Sequence, residues 1–169
     1  FNGIYGQTFK VPDPYIPKVG AKIMSLQDPT RKMSKSDENV NSYVALLDKP
    51  DDIMRKFKRA ITDSDAQVRY GEGKDGINNL MGIYSVMTGK TNEEIEREFD
   101  GKGYGDFKLA VGEAVVDHLR PIQEEFTRLI GDKAYLEQCY TKSAEIALRI
   151  SQRTLDKAMK KVGFVKRAF

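Results

Sequence analysis

The feature that most constrains the fold is a change of sequence pattern near residue 48. Five of the six prolines lie in the first 50 positions, at Pro12, Pro14, Pro17, Pro29 and Pro50. Proline interrupts helices and restricts the residue before it, so residues 1–48 are expected to form extended segments joined by turns. Short strands are predicted over 7–11, 22–26 and 43–47, with a polar stretch between the last two.

Beyond residue 48 the apolar residues recur at helical spacing, with charged residues between them. Four amphipathic helices are predicted by this period, over 51–61, 77–88, 107–130 and 133–162. Thr91 and Glu94 have the spacing of a capping box, which predicts a further short helix. Pro121 lies inside the third long pattern and predicts a kink near His118. The helices are expected to form an antiparallel bundle.

Composition excludes several classes of protein. The 28 basic and 25 acidic residues give a net charge of +3, which excludes a polybasic tail but leaves room for local basic patches. Cys139 is the only cysteine, so neither an internal disulfide nor a cysteine zinc site is expected, and a reducing, cytoplasmic compartment is predicted. No apolar run approaches the ~18 residues of a membrane span. Because the chain starts at Phe1 rather than Met, we expect further residues upstream.

The stretch most informative about chemistry is residues 31–37, called here the lysine loop. It carries Lys32 and Lys35, separated by small residues, with Met33 as its only apolar side chain. Backbone N–H groups and two ammonium ions in such a loop can surround a polyphosphate. On a departing pyrophosphate they would stabilise the charge that develops in the transition state. The alternative is a solvated basic loop without a ligand, which is the commoner case for an isolated pair of lysines.

Residues 32–36 read Lys-Met-Ser-Lys-Ser, the KMSKS signature of class I aminoacyl-tRNA synthetases. The flanking sequence resembles the bacterial tryptophanyl-tRNA synthetase family over 17–30, 36–39, 60–64, 76–84 and 102–105. These segments follow the family's order and extend the resemblance over essentially the whole chain. One position departs from the family, since Glu38 stands where a proline is usual. This change is expected to loosen the exit of the loop.

The resemblance implies a mainly α fold, in which a helical bundle is preceded by the last strands and KMSKS loop of a Rossmann-like α/β nucleotide-binding domain. Residues 1–48 would be the end of that domain, and residues 49–169 a helical domain that recognises the tRNA anticodon. The implied activity is part of a tryptophan–tRNA ligase, which activates L-tryptophan with ATP, accompanied by Mg²⁺, and transfers it to tRNA(Trp). The family is homodimeric, but its main interface lies upstream, so this chain alone is compatible with a monomer.

The resemblance also assigns roles to individual residues. The implied ATP-binding residues are Ile23, Lys32, Met33, Ser34, Lys35 and Ser36. Of these, Lys32 and Lys35 would hold the ATP phosphates and the leaving pyrophosphate. The two serines would shape the loop, and Ile23 would pack against adenine, with Met33 completing an apolar sandwich. No protein ligand for a metal is implied.

Other parts of the family's active site are absent from this sequence. No HIGH-type signature occurs, and the only histidine, His118, is interpreted as a structural or surface residue. The tryptophan pocket would lie upstream, so the chain alone is not expected to activate tryptophan. Two alternatives stay open. One is a tyrosyl-tRNA synthetase fragment, which would share the loop, and the other is a non-catalytic helical RNA-binding module.

Candidate RNA contacts are basic and aromatic. One basic group is Arg55, Lys56, Lys58 and Arg59, and a second is Lys157, Lys160, Lys161, Lys166 and Arg167. Either could meet phosphates, although a basic helix face is more often simply solvated. The aromatic residues that could stack on unpaired bases are Tyr104, Phe107 and Tyr140.

Overall fold

The computed structural model describes residues 1–17 and 20–165, and within them the chain is mainly helical. Six helices occur in these ranges: α1 (Asn2–Tyr5), α2 (Pro50–Lys58), α3 (Asp75–Thr88), α4 (Asn92–Glu98), α5 (Tyr104–Ile130) and α6 (Lys133–Val162). The helical class predicted from the sequence is therefore confirmed. None of the helices in these ranges is long and apolar enough to cross a membrane.

The three predicted strands are wrong. Residues 7–11 and 43–47 form no ladder, and 22–26 contributes one isolated antiparallel bridge, between Met24 and Lys32. A strand requires a neighbouring strand along its edge, and the described residues provide none beyond this one bridge. The strands of a Rossmann-like domain are accordingly not seen in the described part of the chain.

The helix boundaries follow from local signals. The Thr91 side chain and the Glu94 carboxylate form both halves of the predicted capping box at the start of α4. The Asp132 side chain accepts from Tyr135 N at the start of α6, and Gly163 ends that helix with a φ of 87°. The predicted range of α6 is confirmed. The α2 helix ends earlier than predicted, and Ile61 N donates instead to Leu26 O, at 2.8 Å.

The chain divides into two compact units. Unit 1 contains Phe1–Tyr15 and the residues from 126 onward, and unit 2 contains Ile16–Glu125. The predicted division at residues 48 and 49 follows the family's domains rather than these units, and it stays a prediction.

The hydrophobic core of unit 2 is built by α2, α3, α4 and the first part of α5. Its most deeply buried side chains are Phe57, Phe107, Leu26, Ile53, Ile77, Leu80, Met81, Ile95 and Val111. Tyr84, Phe99 and Phe107 pack edge to face, with ring centroids 4.9–5.8 Å apart. Gly112 permits close packing of α5 on α2, because a Cβ there would lie 2.8 Å from Met54 Sδ. This core supports the segment that carries the lysine loop.

Unit 1 has a different character, because α6 has no buried residue. Its predicted apolar stripe includes Tyr140 and Ile150, which are 62% and 63% exposed. A bundle core along α6 is therefore not seen in the described residues. Lys161 Nζ donates to the backbone oxygens of Gly6 and Gln7, at 3.2 and 2.9 Å.

Pro121 lies within the continuous α5 helix, and the kink near His118 stays a prediction.

Candidate nucleotide-phosphate site

The lysine loop is carried by a short antiparallel hairpin, residues 23–33, called here the lysine hairpin. Two backbone hydrogen bonds close it, from Ser25 N to Arg31 O at 2.8 Å and from Met33 N to Ile23 O at 3.0 Å. Arg31 N also donates to Asp28 O, and this bond tightens the turn. The hairpin therefore fixes the position at which the chain enters the lysine loop.

The lysine loop beyond the hairpin is a hydrogen-bonded turn. Asp37 N donates to Ser34 O and Ser36 N donates to Ser34 Oγ, each at 3.2 Å. This places Lys35 and Ser36 at the tip of the turn. Lys32 and Lys35 are both exposed, and neither ammonium group has a hydrogen-bond or ion-pair partner among the described residues. Both positive charges are thus available to an anion.

Ile23 and Met33 face each other across the base of the lysine hairpin. Both side chains are half-buried and pack against the hydrophobic core of unit 2. The structure therefore brings together the two residues predicted to contact adenine. Their use as an apolar sandwich for the base stays a prediction.

The turn end of the lysine hairpin is anchored in unit 2. Leu26 is 1% exposed, its N–H donates to Ser42 O at 3.0 Å, and its carbonyl accepts from Ile61 N. Gln27 Nε2 donates to Arg59 O at 2.9 Å. These contacts join the hairpin to the segments on both sides of α2. The turn end of the hairpin is thereby fixed to unit 2, whereas Lys35 and Ser36 in the lysine loop are exposed.

The carboxylates around the hairpin are held by local hydrogen bonds. The Thr30 hydroxyl donates to Asp28 at 2.6 Å and, with the Thr30 amide, lowers the pKa of this carboxyl group below its usual value. Asp37 Oδ1 accepts from Asn39 N at 2.9 Å in the exit of the loop. Glu38 is exposed between these two residues. The expected loosening of the exit by Glu38 stays a prediction.

One of the two candidate basic groups is smaller than predicted. Lys56 is 4% exposed and forms an ion pair with Asp48, so it cannot contact an RNA phosphate. Arg55 donates to Asp52 and Asn41, both at 2.7 Å. The sequence contained the signal, since Lys56 falls at helical spacing on the buried face of α2. Lys58 and Arg59 remain exposed.

The other residues predicted to contact RNA also include both exposed residues and residues that are buried or already paired. Phe107 is fully buried, so its prediction as a base-stacking residue is wrong. The Tyr104 hydroxyl is bound to Asp63, whereas Tyr140 is exposed. In the second basic group Lys157 and Lys160 are exposed, and Lys161 is occupied by the unit 1 backbone. The remaining candidates, Lys166 and Arg167, lie outside the described residues.

Asn79 is a residue that sequence reasoning missed. It is 9% exposed on α3, and its side chain binds the backbone of Met24 in the lysine hairpin. The available signal was a polar residue next to Leu80 and four positions before Ile83, on the apolar side of α3. The residues that the structure describes contain no cluster of three or more His, Cys, Asp or Glu side chains suited to a metal.

Comparison with known proteins shows the class of protein to which this chain belongs. Residues 1–120 match the family described as tRNA synthetases class I (W and Y). The chain belongs to this family of class I tRNA synthetases.

Curated relatives point to the tryptophan branch. The chain is 50% identical over 165 residues to the tryptophan–tRNA ligase of Wolinella succinogenes, covering 98% of this chain and 50% of that protein. It is 48% identical to the ligase of Clostridium tetani, covering 98% of this chain and 49% of that protein. The chain thus spans about half the length of the curated relatives it matches.

Solved structures show that the fold is shared. Tryptophanyl-tRNA synthetase from Mycoplasma pneumoniae superposes with a TM-score of 0.85 at 26% identity, covering 97% of this chain and 50% of that one. The Campylobacter jejuni enzyme, at 20% identity and a TM-score of 0.64, has the same fold over 96% of this chain and 49% of its own.

Proposed function

We propose that this chain is the C-terminal part of a tryptophan–tRNA ligase, which activates L-tryptophan with ATP and transfers it to tRNA(Trp). The observation that carries the proposal is the sustained identity to ligases of this name, 50% over 98% of the chain, across the segment that holds the lysine loop. Within that enzyme the chain supplies the ATP-phosphate loop and the helical tRNA-binding domain. The tyrosine alternative is less favoured, because the relatives quoted above are all tryptophan enzymes.

The lysine loop acts on the triphosphate of ATP. Lys32 and Lys35 are exposed and unpaired among the described residues, so no existing ion pair has to break when they bind phosphate. Their charges, together with backbone N–H groups near Ser34 and Ser36, stabilise the pyrophosphate as it leaves. ATP would be bound together with Mg²⁺, which would help to neutralise the charge of the phosphates. Ile23 and Met33 pack against adenine.

The helical domain, residues 49–169, binds tRNA(Trp). Exposed cations on two parts of the chain support this proposal, namely Lys58 and Arg59 at the end of α2, and Lys157 and Lys160 on α6. The tryptophan pocket and the main homodimer interface lie largely in the other half of the complete enzyme. The complete enzyme acts in the cytoplasm.

The test of substrate identity uses a full-length protein, called here the complete protomer. It contains this chain together with the half of the enzyme that the relatives have in addition. Pyrophosphate exchange into ATP is measured with each of the twenty amino acids. Stimulation by tryptophan and not by tyrosine is expected. Stimulation by tyrosine would contradict the proposal, and no stimulation by any amino acid would contradict both synthetase assignments and favour the RNA-binding module.

A further inference from the structure

Asn79 links α3 to the lysine hairpin across 55 residues of sequence. Its Oδ1 accepts from Met24 N at 2.8 Å, and its Nδ2 donates to Met24 O at 2.9 Å. One side chain therefore satisfies both backbone polar groups of a single residue. Met24 is also the residue that forms the bridge with Lys32.

The hydrogen-bond pattern explains why Met24 needs such a partner. The hairpin bonds are made by the neighbours of the bridge, from Ser25 N to Arg31 O and from Met33 N to Ile23 O. Met24 and Lys32 are therefore a non-hydrogen-bonded antiparallel pair, in which the N–H and C=O of Met24 point away from Lys32. They form an open edge, where a further strand would normally pair. The Asn79 amide, with one acceptor and one donor, replaces that strand.

We propose that Asn79 is a positioning residue for the lysine loop, which fixes the register of the hairpin and hence the placement of Lys32 and Lys35 on ATP. The proposal rests on the proposed function of the loop as a phosphate site. A slip of one residue in an antiparallel pair turns every side chain to the opposite face. By holding Met24 from the edge, Asn79 opposes such a slip. The polar group contacts no phosphate and acts through the backbone.

The same helix provides a matched control. Asn78, the preceding residue, binds Gly71 in the same two-bond manner, with Gly71 N to Oδ1 at 3.0 Å and Nδ2 to Gly71 O at 2.7 Å. The segment around Gly71 carries none of the predicted ATP-binding residues. Removing either amide costs α3 an equivalent pair of hydrogen bonds, but only one of the pairs is made to the lysine hairpin.

The experiment compares Asn79→Ala with Asn78→Ala in the complete protomer by pyrophosphate exchange. For Asn79→Ala we expect KM for ATP to rise at least about tenfold, because two hydrogen bonds that hold the loop are removed. KM for tryptophan should stay within about twofold. For Asn78→Ala both constants should stay within about twofold. Equal changes in the two variants, or an unchanged KM for ATP in Asn79→Ala, would overturn the proposal.

Two additions keep the test decisive. Lys35→Ala is assayed in parallel: if it has no effect, the phosphate role of the loop fails, whereas an effect of Lys35→Ala without one of Asn79→Ala refutes only the positioning role. If circular dichroism shows that Asn79→Ala is unfolded, Asn79→Asp replaces it, since it keeps the acceptor for Met24 N and loses the donor to Met24 O. Faster amide exchange in the hairpin with a raised KM for ATP supports the proposal. Faster exchange with a wild-type KM overturns it.

Discussion

The hydroxyl of Tyr104, at the start of α5, donates a 2.5 Å hydrogen bond to Asp63 Oδ1, in the segment that follows α2. Lys74 Nζ lies 3.2 Å from the same hydroxyl, 3.3 Å from Asp63 Oδ1 and 2.8 Å from Asp65 Oδ2. The second carboxylate oxygen of Asp63 is buried without a hydrogen-bond partner in the described ranges. This cluster fastens the segment after α2, whose Ile61 holds the lysine hairpin, to the helical core.

Replacing Tyr104 by Phe removes one donor to Asp63 and leaves the partly buried carboxylate with one hydrogen bond fewer. We expect the free energy of unfolding to fall by about 1–3 kcal/mol. Urea denaturation followed by circular dichroism measures the change. Tyr140→Phe is the matched control, because the Tyr140 side chain is exposed and should change stability by less than about 0.5 kcal/mol. Equal stability of Tyr104→Phe and the wild type would show that the hydrogen bond does not stabilise the fold.

The Asp63 carboxylate makes stability depend on pH. Burial alone would raise its pKa, but hydrogen bonds from Tyr104, the Asp65 amide and Lys74 outweigh burial and hold the pKa below its usual value of 3.8. A pKa lowered by folding contributes stability above the usual value, and this contribution disappears as pH falls through the folded-state pKa. The stability advantage of the wild type over Asp63→Asn should therefore shrink below about pH 4. Denaturation at a series of pH values checks this, and a constant difference down to pH 2 would contradict it.

Lys56 and Lys58 lie two residues apart on α2 and should behave differently. Lys56 is 4% exposed, pairs with Asp48 and lies 5.0 Å from the centre of the Tyr43 ring, whereas Lys58 is exposed. Lys56→Met should destabilise the chain by about 2 kcal/mol, less than for a fully buried pair because Asp48 is still partly solvated. Lys58→Met should cost less than about 0.5 kcal/mol. Thermal denaturation of the two variants checks this. Equal melting temperatures would contradict the interpretation.

The helices were predictable because their signals are local. The Thr91 and Glu94 capping box and the bounds of α6 needed only the spacing of a few neighbouring residues. The burial of Lys56 was missed because a charged residue on an apolar face was assigned to the solvent side, although Asp48 eight positions earlier could pair with it. Partners this far apart in sequence are not defined by periodicity.

The strand predictions were wrong for a different reason. Residues 23–26 form one arm of the lysine hairpin, but whether such a segment becomes a strand depends on what lies along its edge. At Met24 that position is occupied by Asn79, 55 residues away on a helix. The lysine loop itself is predicted from five consecutive residues. The contacts that hold the loop in place could not be predicted in this way, because they are tertiary contacts of Leu26, Ile61 and Asn79.

Binding of tRNA should depend on α6. Replacing Lys157 and Lys160 together by Ala should weaken binding of a tRNA(Trp) transcript to the chain and reduce the salt dependence. The slope of log affinity against log salt should fall by about 0.7–0.9 for each phosphate that the variant no longer neutralises. Gel-shift titrations at several salt concentrations measure this slope, with Lys133→Ala on the same helix as the control. A slope unchanged by the double substitution would exclude this end of α6 from the interface.

The central claim is that two ammonium groups of an anchored hairpin stabilise the leaving pyrophosphate. Its most direct test is the rate of tryptophan-dependent pyrophosphate exchange by the complete protomer carrying Lys35→Ala, with the exposed Lys49→Ala as the matched control. The account predicts that Lys35→Ala lowers the rate by at least about a hundredfold with tryptophan affinity unchanged, while Lys49→Ala exchanges at the wild-type rate. A wild-type exchange rate in Lys35→Ala would contradict it.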